Sequence, residues 1–212
     1  MRTLRIDIVS DIVCPWCYIG LANLQKALEA VGDEISVTID FHPLQLNPGL
    51  PPEGELSADN IARKYGMTPE QARSRGGGVR AAAAEAGLAM AGRPDRLYDT
   101  FDAHRLLAWA REQGRQQEMK RALFDAYFER GGNISSADIL VEAATEAGLD
   151  AAAAKQVLAR GDFAAQVHDD EIEWRSEGIA SVPTMVVDGE FVINGAQAPD
   201  RIERALRKLA AR

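Results

Sequence analysis

Two cysteines, Cys14 and Cys17, are the residues whose type and spacing most directly suggest chemistry. Two thiols separated by two residues at the start of a helix can reach each other and close a small disulfide. We expect Cys14 at the helix N-terminus, where free N–H groups and the helix dipole favour its thiolate, the nucleophile of disulfide exchange. Cys17, one turn further, is expected to be better buried and to act as the resolving thiol.

Pro15 and Trp16 lie between the two thiols and supply neither an acid nor a base. We predict that they border the substrate and tune the redox poise only through helix geometry and hydration of the sulfur. Pro15 suits the first helical turn, where its missing N–H costs nothing.

Two other readings of the cysteine pair are half of a zinc site and two inert, buried thiols. A structural zinc takes four ligands, and the three histidines, at positions 42, 104 and 168, have no partner at ligand spacing. No metal site is therefore predicted. The strand pattern before Cys14 and the proline after it argue against a chance pair, because a Cys-x-x-Cys beside a strand–helix–strand pattern is typical of a redox site.

A second motif, Ser181-Val182-Pro183-Thr184, stands at the start of a predicted strand. A cis Val182–Pro183 bond would expose the Val182 backbone beside the thiols, where an extended peptide could pair with it. Only about 5–6% of X–Pro bonds in folded proteins are cis, and the alternative is an ordinary trans proline at a strand start. Val182 and Pro183 are therefore predicted to bind substrate.

The elements that must position these residues lie at the two ends of the chain. Residues 4–9 and 35–41 alternate apolar and polar side chains, and the helix between them ends at Gly32. This order predicts a βαβ unit with parallel strands. Near the other end, Asp188-Gly189 between two β-rich runs predicts a hairpin, and a last helix starts at Pro199.

Residues 57–177 show helix after helix and no convincing strand. We predict helix starts at Thr68 and at Ser135, a helix from near Asp95, and a flexible break at Gly76–Gly78. The fold class predicted is α/β, with the order βαβ…ββα and a long all-helical insertion. One discontinuous domain would comprise residues 1–50 and 166–212, with an inserted helical domain at 51–165.

His104 lies on the helix predicted to begin near Asp95. It would face the thiols from a groove, bind substrate and stabilise the Cys14 thiolate, or it would be a core or surface histidine with a backbone partner; both interpretations stay open. His42 either lines the same cleft or is a loop histidine.

Composition limits the partners. Thirty-two acidic against 24 basic residues give a formal net charge of -8, which argues against a nucleic-acid partner and a basic membrane-surface helix. No apolar run approaches the roughly 20 residues of a membrane span, and the first residues lack the apolar core of a signal peptide. We therefore expect a cytoplasmic protein with no membrane partner.

These motifs together resemble the thioredoxin superfamily, in its DsbA family, and are similar to the FrnE-like cytoplasmic subfamily. The resemblance spreads over nearly the whole chain in the family's order. It rests on the segments 11–20, 41–48, 103–106, 178–184 and 194–197.

The resemblance implies a thioredoxin-like fold, with Cys14 as nucleophile, Cys17 as resolving thiol and Pro183 as the cis proline. It implies a thiol–disulfide oxidoreductase of the protein disulfide reductase or isomerase type, acting on disulfide-containing or dithiol proteins and peptides. No bound cofactor is expected, and glutathione or a thioredoxin-type protein would recycle the dithiol. An export signal and the extra C-terminal cysteines of some members are not found.

Two other functions stay open. The same branch contains glutathione-dependent isomerases and transferases of the 2-hydroxychromene-2-carboxylate isomerase and kappa type, which carry serine where Cys14 stands. A non-catalytic holdase or regulatory binding module would use the cleft without turnover. The sequence predicts neither the direction of the redox reaction nor the oligomeric state.

Overall fold

The computed structural model describes residues 3–212, apart from the side chain of Arg75. Its elements, in chain order, are β1 (Thr3–Ser10), α1 (Pro15–Val31), β2 (Ser36–Pro43), β3 (Glu55–Leu56), α2 (Ser57–Tyr65), α3 (Pro69–Ala86), β4 (Arg96–Leu97), α4 (Phe101–Glu112), α5 (Gln116–Phe124), α6 (Ala137–Glu146), α7 (Ala151–Arg160), α8 (Ala164–Ser176), β5 (Thr184–Val187), β6 (Phe191–Asn194) and α9 (Pro199–Ala210). A π-helical turn, Asp125–Glu129, follows α5.

A four-stranded sheet with the order β2-β1-β5-β6 joins the two ends of the chain. β1 and β2 are parallel, as the alternating patterns predict, and β5 runs antiparallel to β1. The β5–β6 hairpin turns at Asp188 and Gly189, both of which have positive φ, and Glu190 N donates back to Val187 O. The predicted α/β fold with a helical insertion between the strands is confirmed.

The helical insertion departs from the predictions in several places. The prediction that residues 57–177 contain no strand is wrong, because β4 lies within them and pairs antiparallel with β3. This pairing, with a hydrogen bond from Ser57 N to Asp95 O, holds residues 95–97 extended. The helix that carries His104 therefore begins at Phe101 and not near Asp95, and the Asp99 carboxylate accepts a hydrogen bond from Phe101 N.

The predicted break at Gly76–Gly78 is also wrong, since these glycines lie inside α3. A complete capping box between Thr68 and Gln71 starts this helix, and the alanines at 81–84 continue it. Together these local preferences outweigh the low helix propensity of the three glycines. The helix start predicted at Ser135 is displaced, because Ser135 bonds to Asn133 in a turn and Ser136 is the N-cap of α6.

Gln116 attaches the insertion to the sheet. Its side-chain amide donates to Phe41 O and accepts from Phe41 N, each at 2.9 Å. The side chain thus satisfies the backbone groups that the edge strand β2 would otherwise leave buried and unpaired. One hydrophobic core extends from the sheet and α1 into α4, α5 and α6. The predicted domain boundaries stay a prediction, and α8 crosses the second of them.

Candidate active site

Cys14 occupies the N-cap position of α1, with an extended backbone and no side-chain cap of its own. Its carbonyl oxygen accepts hydrogen bonds from the N–H groups of Cys17 and Tyr18. Both thiols are free and buried, with exposed fractions of 4% for Cys14 and 3% for Cys17. The predicted difference in burial between the two thiols is therefore negligible.

The environment shifts the two thiol pKa values in opposite directions. A hydrogen bond from the Cys17 side chain lowers the pKa of Cys14, and this effect, helped by backbone N–H groups of Cys17 and Trp16, outweighs burial and the nearby Asp11 charge. Burial raises the pKa of Cys17 well above the usual range, and the hydrogen bond and charge of Cys14 raise it further. The arrangement thus favours a thiolate on Cys14 and a neutral thiol on Cys17.

The loop before β5 reaches the first thiol. The Cys14 Sγ lies 3.9 Å from the carbonyl oxygen of Val182, and the Val182–Pro183 bond is cis. Pro183 packs against α1 at Gly20, where an added Cβ would lie 3.1 Å from the proline Cγ. Val182 and Pro183 therefore lie beside Cys14, and binding of substrate by these two residues stays a prediction.

The exposed part of the Cys-Pro-Trp-Cys unit is Trp16, which retains 41% of its accessible surface. Pro15 is half-buried at the first position of α1. An indole that lies open beside a covered thiol presents an apolar surface to an approaching molecule.

A buried carboxylate lies in the loop between β1 and α1, three residues before Cys14. Asp11 is completely buried and accepts hydrogen bonds from Ile12 N and Leu46 N, and its Oδ1 is 3.3 Å from His104 Nε2. Burial alone would raise the pKa of Asp11, but the hydrogen bond and charge of His104, together with hydrogen bonds from the Leu46 backbone and the Thr100 side chain, outweigh it, and the pKa lies below its usual value. The sequence reasoning missed Asp11; its place just after a strand and three residues before Cys14 was the available signal.

His104 is itself buried, with 3% of its surface exposed, and its ring contacts Asp11. The structure thus brings His104 next to the loop that precedes Cys14, and binding of substrate by His104 stays a prediction. His42 lies elsewhere: it is buried on β2, with Nε2 2.9 Å from Asp7 Oδ1 and its ring against Trp174.

A second residue that sequence reasoning missed is Lys120 of α5, which is 1% exposed. Burial lowers the pKa of its ammonium group to about 8, although the negative charges of Cys17, Asp11 and Cys14 act in the opposite direction. A lysine on a helix gives no sequence signal of burial, because this residue type is usually exposed.

In residues 3–212, no group of three or more His, Cys, Asp or Glu side chains is arranged to hold a metal ion. The same residues contain no helix long and apolar enough to cross a membrane. A cavity of about 390 Å³ lies between the 45–52 loop and the start of α4, and its lining includes neither cysteine.

Comparison with known proteins gives matches over nearly the whole chain. The DSBA-like thioredoxin domain family matches residues 5–207. The probable DsbA oxidoreductase SCO1869 of Streptomyces coelicolor is 36% identical; the match covers 98% of this chain and 90% of that one, with a TM-score of 0.87.

Two proteins with lower sequence identity also match nearly the whole chain. The uncharacterized protein YwbO of Bacillus subtilis (strain 168) is 27% identical over 205 residues, which are 96% of each chain. The cytosolic disulfide reductase DsbM of Pseudomonas aeruginosa has a similar fold, with 18% identity, 98% coverage of both chains and a TM-score of 0.62.

Proposed function

Because this chain belongs to the DSBA-like thioredoxin domain family and is similar to a probable DsbA oxidoreductase, we propose that it reduces or isomerises protein disulfides through Cys14 and Cys17. The observation that carries the proposal is the position of Cys14 at the N-cap of α1, beside the Val182 carbonyl, with the pKa values of the two thiols shifted in opposite directions. A lowered pKa increases the thiolate fraction of Cys14, and a raised pKa keeps the Cys17 thiol protonated until it is needed.

The proposed cycle has two exchange steps. The Cys14 thiolate attacks one sulfur of a substrate disulfide, forms a mixed disulfide and releases the other substrate sulfur as a thiolate. Cys17 then loses its proton and attacks the Cys14 Sγ, which forms the Cys14–Cys17 disulfide and releases the second substrate thiolate. Two electrons pass from the protein dithiol to the substrate, and each released thiolate takes a proton from water.

Glutathione or a thioredoxin-type protein would return the disulfide to the dithiol in the same way, so no bound cofactor is required. We place this reaction in the cytoplasm, where such reductants keep dithiols reduced. That location favours reduction or isomerisation over net oxidation. Cell fractionation with an antibody to the chain would test the location directly.

An extended substrate segment would pass along the Val182–Pro183 loop. The Val182 carbonyl is 3.9 Å from the Cys14 Sγ, so a cysteine bound to Cys14 brings its own backbone beside this loop. Backbone pairing of this kind tolerates many side chains. The exposed Trp16 indole would cover apolar side chains on the substrate.

The experiment is equilibration of the purified protein in graded glutathione buffers, followed by counting of thiols and adducts by mass spectrometry. We expect a reversible Cys14–Cys17 disulfide, and in Cys17→Ser a glutathione adduct on Cys14 in its place. The midpoint would distinguish a reductant from an oxidant, since about 30 mV changes this equilibrium tenfold. If no internal disulfide formed at any ratio, the proposal would be wrong, and the glutathione-dependent isomerase and the binding module would become the leading functions.

A further inference from the structure

We propose that Lys120 of the helical insertion is the proton partner of the resolving thiol, taking up the proton that Cys17 releases when it attacks the mixed disulfide. This inference rests on the proposed dithiol cycle and names the group that makes its second step possible. It gives the helical insertion a role in the second exchange step.

The position of Lys120 is unusual for a lysine. The side chain is 1% exposed, and its Nζ has no hydrogen-bond partner among the described residues. The Nζ lies 4.8 Å from the ring centre of Phe124 and 5.6 Å from that of Phe41. A buried ammonium group that has no hydrogen-bond partner is poorly solvated, which favours the neutral amine.

The packing places this amine next to the helix that carries the thiols. Tyr18, the residue after Cys17, has its ring 5.0 Å from the Phe124 ring, against which Lys120 also lies. Cys17, Tyr18, Phe41 and Phe124 all belong to the same buried cluster. Lys120 thus packs, inside the protein, against an aromatic side chain that also contacts the helix carrying the dithiol.

Three charged groups act on Lys120. They are Cys17 on α1, Cys14 at the N-cap of that helix and Asp11 in the loop before it, with Cys17 the strongest. His104 on α4 faces Asp11, while Asp125 and Glu129 beyond α5 accept hydrogen bonds from the Tyr18 hydroxyl. The coupling is mutual, since Lys120 is the charge that lowers the pKa of Cys17.

The mixed disulfide is the state in which this coupling matters. Once Cys14 is bonded to substrate it carries no charge, so Lys120 loses one of the negative groups that favour its ammonium form. In the proposed step the Lys120 Nζ, which has no hydrogen-bond partner in the dithiol state among the described residues, moves into contact with the Cys17 Sγ and takes its proton, giving a thiolate and an ammonium. The pair stays neutral overall, which avoids the cost of an uncompensated charge in the core. The Cys17 thiolate attacks the Cys14 Sγ, and the substrate leaves as a thiolate.

The two steps can be timed separately with dithiobis(nitrobenzoate), whose coloured thiolate is released once when Cys14 attacks and once when Cys17 resolves. In Lys120→Met, which keeps the length of the side chain, we expect the first release to be nearly unchanged. The second release should slow by at least about threefold. For each unit by which loss of Lys120 raises the pKa of Cys17, the thiolate fraction falls about tenfold, and the greater nucleophilicity of the more basic thiolate compensates roughly threefold of that loss. Its pH profile should also move to higher pH.

Cys17→Ser is the control, since it should show only the first release. If Lys120→Met resolves at the wild-type rate with the wild-type pH profile, the inference is overturned while the dithiol cycle stands. If the wild-type protein itself shows no second release, the cycle fails instead.

A second measurement does not depend on the folding of Lys120→Met. Cys17→Ala with nitrobenzoate on Cys14 mimics the intermediate, and NMR of ¹³C-labelled lysine can follow the titration of Lys120 in it. We expect a midpoint clearly below the ordinary lysine value of about 10.4. A midpoint at or above that value would overturn the inference.

Discussion

The Sγ atom of Cys14 lies 3.9 Å from the carbonyl oxygen of Val182, although 168 positions separate the two residues in the chain. The register of the sheet creates this contact. Val9 near the end of β1 is opposite Thr184 at the start of the antiparallel β5, so the loop after one strand and the loop before the other meet at one edge. A molecule bonded to Cys14 must therefore pass beside Val182.

The contact between Gly20 and Pro183 keeps that loop against α1. We predict that Gly20→Val lowers the free energy of unfolding by about 1–3 kcal/mol, because a branched side chain cannot fit where a Cβ already lies 3.1 Å from the proline ring. Disulfide reductase activity should fall as the loop moves from Cys14. In the matched Gly20→Ala, the gain in helix propensity of up to about 1 kcal/mol offsets the tight contact. Urea unfolding and insulin reduction measure both effects, and equal behaviour of the two variants would contradict this prediction.

The acidity of Cys14 should depend on the hydrogen bond that Cys17 donates. That bond is the largest cause of the lowered pKa of Cys14. We expect Cys17→Ala to raise this pKa, and Cys17→Ser, whose hydroxyl can still donate, to keep it lower than the alanine variant does. The rate of iodoacetamide alkylation as a function of pH gives both values. Identical values would mean that the helix N-terminus alone stabilises the thiolate.

The Asp11 carboxylate should stabilise the fold while it raises the pKa of Cys14. Its pKa is lowered in the folded protein, so its ionised form adds stability above the ordinary carboxyl value, and that stability is lost as the pH falls through the folded pKa. Asp11→Asn should cost about 1–3 kcal/mol at neutral pH, because an amide cannot keep every bond that the carboxylate accepts, and its stability should change less in acid.

The same variant should lower the pKa of Cys14, since the Asp11 charge raises it. Denaturation at several pH values and alkylation of Cys14 test the two parts independently. Loss of stability with no change at Cys14 would show that the carboxylate is too well screened to influence the thiol.

Gln116 should be essential for the attachment of the insertion to the sheet. Gln116→Leu leaves both backbone groups of Phe41 without the partners they have at 2.9 Å. We expect a loss of about 2–6 kcal/mol, since each of the two unsatisfied buried groups costs about 1–3 kcal/mol. The control Gln116→Glu keeps the acceptor for Phe41 N and should lose less. Thermal unfolding measures both, and hydrogen exchange at Phe41 should increase first in the leucine variant.

Local sequence patterns were sufficient for the parts of the fold that depend on neighbouring residues. Alternating strands, the proline at the start of α1 and the Asp188-Gly189 turn all follow from backbone preferences within a few positions. Where those patterns misled, a partner distant in sequence or a competing local preference was the reason. Asp95 is held by a strand pairing with residues near 56, and Gly76–Gly78 are carried by the capped, alanine-rich α3.

The sequence alone determined that a dithiol stands at the start of a helix that follows a strand, because the spacing of Cys14 and Cys17 is a local property. Only the tertiary structure decided the surroundings of the pair: the Val182 carbonyl, the buried Asp11–His104 contact and the buried Lys120, whose Nζ has no hydrogen-bond partner within the part of the chain that the structure describes. Burial turns these ordinary polar residues into groups with shifted proton affinity, and burial depends on packing between elements far apart in the chain. The motif thus predicts the type of chemistry, whereas the packing determines where the protons reside.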